Sequence, residues 1–228
     1  MDNRFLRCEK LLGSSSLQKL KNSRVAVFGV GGVGGYIAEA LARSGVGNID
    51  LIDSDVVDIT NLNRQIIALE STVGRAKTEV MRERIKEINP EAVVNCHNLF
   101  FSAETVNDFN FCEYDYIADA IDSVSSKLLL IKTAKDTGVP IISSMGTGNK
   151  FDPEKLEVSD IYKTSVCPLA RVMRYELKKL GIKDLRVVYS KEEPKNPSSE
   201  RVPASCVFVP ASAGMIIASQ IVKEIISK

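Results

Sequence analysis

The stretch Val25-Ala26-Val27-Phe28-Gly29-Val30-Gly31-Gly32-Val33-Gly34 passes from apolar residues into closely spaced glycines, and Tyr36-Ile37-Ala38-Glu39-Ala40-Leu41 continues it with a helical pattern. The order is strand, tight turn, helix. Glycines in such a turn let the backbone approach a pyrophosphate, while the free N–H groups and partial positive charge of the helix start favour an anion. A bound nucleotide is the expectation. The turn alone does not separate NAD, FAD and ATP, and a purely structural turn is the alternative. A second apolar run, Asn48-Ile49-Asp50-Leu51-Ile52, ends at Asp53, roughly where a dinucleotide fold places its ribose-binding acid; a strand-end acid that starts a turn is the plainer reading.

Working outward, the first helix ends near Ser44-Gly45-Val46-Gly47, and a polar connection through Asp55, Asp58, Asn61, Asn63, Arg64 and Gln65 leads to a helix from about Gly74 to Asn89, stopped by Pro90. A strand around Val93, a short helical stretch near Ser102 to Phe109, a buried strand within Tyr114 to Asp122, a helix from about Ser126 to Asp136 and a strand Val139 to Ser143 follow. This βα alternation predicts an α/β fold: a Rossmann-like, mostly parallel sheet with helices on both faces and a ligand crevice at the strand carboxyl ends. The turn-rich Gly146 to Pro153 connection is placed to return near that crevice.

At the amino end, Arg4 to Leu20 reads as a basic, partly apolar leader in which a serine caps a helix around Ser14 to Gln18. Lys191 to Glu200 is too polar and too rich in Pro and Ser to pack as a core element, which predicts a mobile loop around 191–201. Ala211 to Ile226 reads as a core or subunit-interface helix. With 228 residues, one domain over 1–228 is expected.

Hydrophobic residues at 44% and charged residues at 26% fit an ordinary globular chain. No apolar run reads as a bilayer span and the amino terminus lacks a signal-peptide core, so no membrane association and a cytoplasmic location are the default expectations. The five cysteines, Cys8, Cys96, Cys112, Cys167 and Cys206, are odd in number and widely spaced, giving neither a disulfide framework nor a Cys-x-x-Cys zinc pair. His97 is the only histidine, which excludes a histidine-rich metal site, and its strand-like setting favours a structural role. Lys plus Arg number 30 against 29 for Asp plus Glu, so a polyanionic partner would have to be met locally. The best candidate is Arg171 to Arg186, where Arg171, Arg174 and Lys178 share a helical face; a solvated face is the competing reading.

The glycine turn is followed in order by Asp53-Ser54-Asp55, Asn61-Leu62-Asn63-Arg64-Gln65, Gly74-Arg75-Ala76-Lys77 and Asp119-Ala120-Ile121-Asp122. Hydride transfer does not call for this set of amides, cations and carboxylates. Phosphoryl chemistry does, because Arg forks onto phosphate oxygens, Lys neutralises them and Asp can hold magnesium. With this constellation the chain resembles the ThiF/MoeB/ubiquitin-activating superfamily of ATP-dependent adenylating enzymes, over roughly Arg4 to Gly148 with a weaker return at Cys206 to Pro210 and Ala213-Gly214. Arg4-Phe5, Thr60 to Ile66, Ala120 to Val124, Asp152-Pro153, Lys163-Thr164-Ser165 and Pro168-Leu169-Ala170 look like its tRNA threonylcarbamoyladenosine dehydratase branch, which uses ATP to close the threonylcarbamoyl side chain of a modified tRNA adenosine into a ring.

That resemblance implies ATP and Mg2+ as cofactors, tRNA as the partner and a homodimer. Gly29, Gly31, Gly32 and Gly34 would shape the ATP turn, Asp53 would bind ribose, and Asn61, Arg64 and Lys77 would position phosphates, with Gln65 as a further positioning residue. Arg64, Lys77 and Asp122 are the implied catalytic set, Asp122 serving magnesium or the α-phosphate region. Arg7 resembles an amino-terminal arginine that some relatives present to a neighbouring subunit's ATP. Adenylation of a ubiquitin-like sulfur carrier is the alternative. The absence of the two Cys-x-x-Cys pairs found in several such relatives leads us to expect no structural zinc and favours the tRNA branch. A noncatalytic nucleotide sensor, the alternative of another class, would not need Arg64, Lys77 and Asp122. A sulfur-transfer protein is a further possible partner, although the apolar neighbours of Cys206 suggest a structural thiol.

Overall fold

The computed structural model describes residues 3–195 and 203–228. Its strands are β1 (Arg24–Phe28), β2 (Asn48–Ile52), β3 (Val93–His97), β4 (Tyr116–Asp119), β5 (Ile141–Ser144), β6 (Leu156–Asp160) and β7 (Arg186–Ser190). They form one seven-stranded sheet in the order β3-β2-β1-β4-β5-β7-β6, parallel throughout except for the β6–β7 pair. The helices are α1 (Leu6–Leu12), α2 (Ser14–Asn22), α3 (Gly34–Arg43), α4 (Lys77–Ile88), α5 (Val124–Thr137), α6 (Pro168–Lys179) and α7 (Phe208–Ser227).

Strand alternation sends side chains to opposite faces. Val25, Val27, Ile49 and Leu51 join one core with Leu20, Ile37, Leu41, Met81 and Ile217, while Ala26, Phe28 and Ile117 join the other with Leu130, Ile131, Met173 and Leu177. The helices therefore cover both faces. Chain direction across the sheet reverses between β1 and β4, which opens a crevice beyond their carboxyl ends.

Most element ends have local causes. Gly138 stops α5 in the left-handed region at φ 75, and Pro168 opens α6 in its first turn. Other expectations need correction. Ser14 does not cap the amino-terminal helix: α1 precedes it, Gly13 takes the cap position at φ 87, and Ser14 Oγ donates to Glu9 instead. The stretch expected to be helical near Ser102 to Phe109 holds only the 3-10 turn Val106–Asp108. Glu192, in the stretch expected to be mobile, is buried and accepts the N–H groups of Phe151 and Asp152 at 2.9 and 2.8 Å. Residues 196–201 of that stretch lie outside the described residues. By length and composition α7, which runs beyond the Ala211 to Ile226 stretch read as a core or interface helix, is apolar enough to cross a membrane, yet half of it is buried inside the fold against α3 and the sheet.

Asp50, on β2 and fully buried, accepts from Arg24 at 2.9 and 3.1 Å, Asn95 at 2.9 Å and the Tyr114 hydroxyl at 3.1 Å, with His97 Nε2 at 3.2 Å. Burial alone would raise its pKa, but the bonds from His97, Arg24 and Asn95 outweigh it and hold the carboxyl well below the usual range. A depressed folded pKa stabilises the fold above the unfolded value near 4 and loses that stabilisation as pH falls below it. Asp50→Asn should cost about 2–3 kcal/mol at pH 7 and flatten the acid limb of a stability profile measured by urea melts; an acid limb like that of the parent would disprove the assignment.

Candidate functional site

Two glycines fix the turn after β1. Gly29 has φ 88, and a β-carbon there would stand 2.6 Å from the Ala120 carbonyl oxygen; one on Gly34 would stand 1.7 Å from the Gly29 carbonyl oxygen. The turn thus packs backbone on backbone, with the α3 amino terminus against the end of β4. A β-carbon on Gly31 would meet Gln65 Nε2 at 3.9 Å, an ordinary contact, and one on Gly32 would meet Pro210 and Arg64.

A cleft of about 440 Å³ opens above this turn. Gly29, Gly31, Gly32, Asp53, Asn61, Arg64, Gln65, Lys77 and Asp122 all line it. Gly34 lies beneath, shaping the turn from within the fold. Arg7 does not line it. It is exposed on α1, whose Cys8 Sγ reaches the Arg43 carbonyl at the far end of α3, roughly 15 Å of helix from the turn.

Much of this lining is held by its neighbours. Asp53 accepts the Val30 N–H at 2.7 Å and the Asp55 N–H at 2.8 Å, tying the glycine turn to the end of β2. Burial pushes its carboxyl up, against the opposing effects of Lys77 and those two N–H groups. Asn61 is buried as half of a reciprocal cap with Asp58, and Arg64 donates to the Thr60 carbonyl at 2.8 Å and to Asn63 Oδ1 at 3.0 Å. Lys77 opens α4 with its side chain 7% exposed, pairing with the exposed Asp55 at 2.7 Å and standing 4.0 Å from Asp53. The buried Gln65 side chain has an Oε1 with no hydrogen-bond partner among the described residues. Asp122 is exposed on the loop after β4 and has no hydrogen-bond partner among the described residues.

That loop is anchored by a group the reading of the sequence missed. Lys127, fully buried on α5, donates to Asp119 at 2.7 Å, to Ser143 Oγ at 3.1 Å and to the Ser144 carbonyl at 3.0 Å, while Asp119 accepts the Ile121 N–H at 3.1 Å. The lip contributed by Leu99, Phe100 and Phe101 was also missed. So were Ser126 on α5 and Ser205 before α7, whereas Ile121 and Pro210 line the cleft from stretches already singled out in the sequence. No local pattern marks the missed residues, because they meet only through the sheet order. Thr147, from the turn-rich connection, does return to the cleft as expected.

On the basic face Arg171 and Lys178 are exposed and Arg174 is half-buried. Arg174 donates to the Thr164 carbonyl at 3.1 Å and to its hydroxyl, bracing the loop before α6. Lys183 and Arg186 lie beyond the helix, which ends at Lys179. His97 takes the structural role expected of it, beside Asp50 and 5.0 Å from the Phe109 ring. Among the described residues all five cysteines are free.

A doubly wound sheet with a glycine turn, two cations and a free carboxylate meeting at its switch point defines a nucleotide-binding protein equipped to handle phosphate. The chain belongs to the ThiF family, which it matches over residues 3–227. It is 43% identical to tRNA threonylcarbamoyladenosine dehydratase of Bacillus subtilis (strain 168), across 99% of this chain and 96% of that protein. It is 40% identical to the Escherichia coli (strain K12) protein of the same name, across 97% of this chain and 81% of that one. The crystal structure of E. coli tRNA N6-threonylcarbamoyladenosine dehydratase, TcdA, in complex with ATP superimposes with a TM-score of 0.93 at 38% identity, covering 99% of this chain and 94% of that chain.

The glycines separate into two classes that a pair of substitutions should distinguish. Gly34→Ala forces a methyl into a carbonyl and should destabilise the protein by about 3 kcal/mol. Gly31→Ala brings its methyl only into ordinary contact with the Gln65 amide, so stability should stay within about 0.5 kcal/mol while ATP affinity falls. Chemical denaturation and calorimetric titration check both halves, and equal stability losses would overturn the distinction.

Proposed function

We propose that this protein is an ATP-dependent tRNA threonylcarbamoyladenosine dehydratase. The observation that carries the reading is the convergence of Asn61, Arg64, Lys77 and Asp122 on the cleft over the glycine turn, in a chain that aligns almost end to end with relatives bearing that name. ATP occupies the cleft with its phosphates over the glycines and its base toward the apolar lip of Leu99, Phe100 and Phe101.

A carboxylate is a poor electrophile because its oxygen would have to leave as oxide or hydroxide. The threonyl carboxylate therefore attacks the α-phosphorus of ATP, pyrophosphate leaves, and a mixed acyl–phosphate anhydride forms. A carbamoyl nitrogen attacks the activated carbonyl and loses its proton, the ring closes, and AMP departs. The chain contributes orientation and charge stabilisation. Arg64 and Asn61 hold phosphate oxygens, Gln65 adds an amide to the same wall, and Lys77, paired with the exposed Asp55 and 4.0 Å from Asp53, turns its ammonium to the incoming phosphates. Asp53 keeps lone pairs for ribose hydroxyls beyond its two backbone bonds.

Magnesium fits this lining. It is satisfied by one or two carboxylates together with phosphate oxygens and water, and Asp122, with no hydrogen-bond partner among the described residues, offers such a group. The metal would supply neutralisation of phosphate charge.

Residues 1–228 act as one domain in this reading, in the cytoplasm with tRNA and ATP. Two copies pair around a two-fold axis. Val56 and Ile59, each 54% exposed, and Leu69, 55% exposed, border the cleft-lining loop with the apolar surface that such a pairing covers. Arg7, remote from its own cleft, then serves the partner's. The tail helix α7 turns most of its apolar side into its own chain, so the pairing relies on the surface beside the cleft-lining loop.

Incubation of the protein with ATP and tRNA carrying threonylcarbamoyladenosine should give AMP, pyrophosphate and a nucleoside lighter by one water. Lys77→Ala or Arg64→Ala should slow pyrophosphate release roughly 100-fold, the equivalent of about 3 kcal/mol, with the fold intact. An adenylated ubiquitin-like carrier beside untouched tRNA would reverse the reading. Exchanging subunits between Arg7→Ala and Lys77→Ala chains should restore activity in mixed dimers, each of which holds one intact site. Verified exchange without recovery would remove Arg7 from the mechanism.

A further inference from the structure

Two aromatic rings stand in the open beside the cleft. Phe151 is 56% exposed and Phe208 51% exposed, their centroids 5.5 Å apart and their planes at 80°. Neither belongs to the two cores. Phe151 follows the connection in which Thr147 lines the cleft, and Phe208 follows Ser205, which lines it too. Both approach from the β5 side, across the sheet order from the apolar lip that follows β3. The rings therefore flank the side of the cleft lined by Thr147 and Ser205.

Their placement is fixed by backbone. Asn149, in the left-handed region at φ 57, donates its N–H to the Ala204 carbonyl at 2.7 Å and accepts the Ala204 N–H on Oδ1 at 2.8 Å. Lys195 N–H donates to the Asn149 carbonyl at 2.7 Å, and Asn63 Nδ2 to the Ser205 carbonyl at 2.9 Å. The segment carrying Phe208 is thereby tied both to the loop carrying Phe151 and to the neighbour of Arg64.

The charges nearby nearly cancel. Lys195 Nζ lies 5.2 Å from the Phe151 centroid but has Glu192 Oε1 at 3.6 Å, and Asp152 adjoins the ring. Such a surface offers ring faces more than a phosphate footprint. Unpaired RNA bases are recognised by stacking on exposed aromatic rings, often with a cation beside them.

We propose that Phe151 and Phe208 form a stacking platform for an unpaired tRNA base adjacent to the modified adenosine, holding the strand so that the threonyl carboxylate points into the cleft. This rests on the dehydratase reading and adds to it a surface that selects single-stranded RNA.

The test uses the full chain and tRNA carrying threonylcarbamoyladenosine, with affinity measured over a range of salt. In a Phe151→Leu/Phe208→Leu variant, binding should weaken roughly tenfold or more, with the slope of log affinity against log salt and the ATP affinity both unchanged, because a lost stack releases no counterions. Phe151→Trp should bind as the parent does. The chain has no tryptophan of its own, so the fluorescence of that single indole should be quenched by tRNA. Unchanged tRNA affinity in the leucine variant, a shallower salt slope, or an unquenched indole would overturn the platform. A leucine variant that sediments as a smaller species would assign the rings to an interface between copies instead. Parent protein that cyclises tRNA alongside a variant that binds it equally well defeats only the platform. Parent protein that neither binds nor cyclises tRNA defeats the dehydratase reading and the platform together.

Discussion

The contact on which the structure depends has no side chains in it. Between the Gly29 carbonyl, the start of α3 at Gly34 and the Ala120 carbonyl at the end of β4 there is no room for a β-carbon. This approach sets the α3 amino terminus over the two strands at which the sheet reverses, and the cleft is the space left above it. Side chains at either glycine would push helix and strand apart, and the free N–H groups would no longer converge on one point.

Around this contact, buried charge falls into two groups with different purposes. Asp50 and the Asp119–Lys127 pair are fully enclosed and fully bonded, and removing one partner from such a set leaves a charge without water or counter-charge. They hold β2, β4 and the loop after β4 in place. Lys77, Arg64 and Asp122 differ: Lys77 pairs most closely with an exposed carboxylate, Arg64 bonds to neutral oxygens, and Asp122 has no hydrogen-bond partner among the described residues. A polyanion and its cation can recruit these groups without dismantling the scaffold. Asp53 belongs to both groups, since its backbone bonds fasten the turn while its oxygens retain lone pairs toward the cleft.

Adenylation chemistry fits such a division. Charge on phosphate grows and moves during the transfer, so the groups that meet it should be in place beforehand and not reorganise at the moment of reaction. The ties from Asn63 to Ser205 and from Asn149 to Ala204 extend the same preorganisation from the neighbour of Arg64 to the rim beside Phe151 and Phe208.

Local sequence determined the β-turn-α unit, the alternation that makes the sheet mostly parallel, and the order of site residues from Gly29 to Asp122. Each of these is written in short-range rules: glycine where a backbone must pass close, apolar alternation where a strand is buried, and a cation at the start of a helix near the switch point. What lies in long-range packing was not legible. Lys127 looks like an ordinary helix lysine until β4 and β5 enclose it; Arg174 looks like a phosphate contact until Thr164 takes its guanidinium. Glu192 sits in a stretch of polar residues and prolines, yet two backbone N–H groups draw it inside. Phe100, Thr147, Ser205 and Pro210 reach one cleft from widely separated segments only because the order β3-β2-β1-β4-β5 sets their strand ends side by side. A sequence states what each residue can bond, whereas the fold decides which partner arrives first and which charge is left over for a ligand.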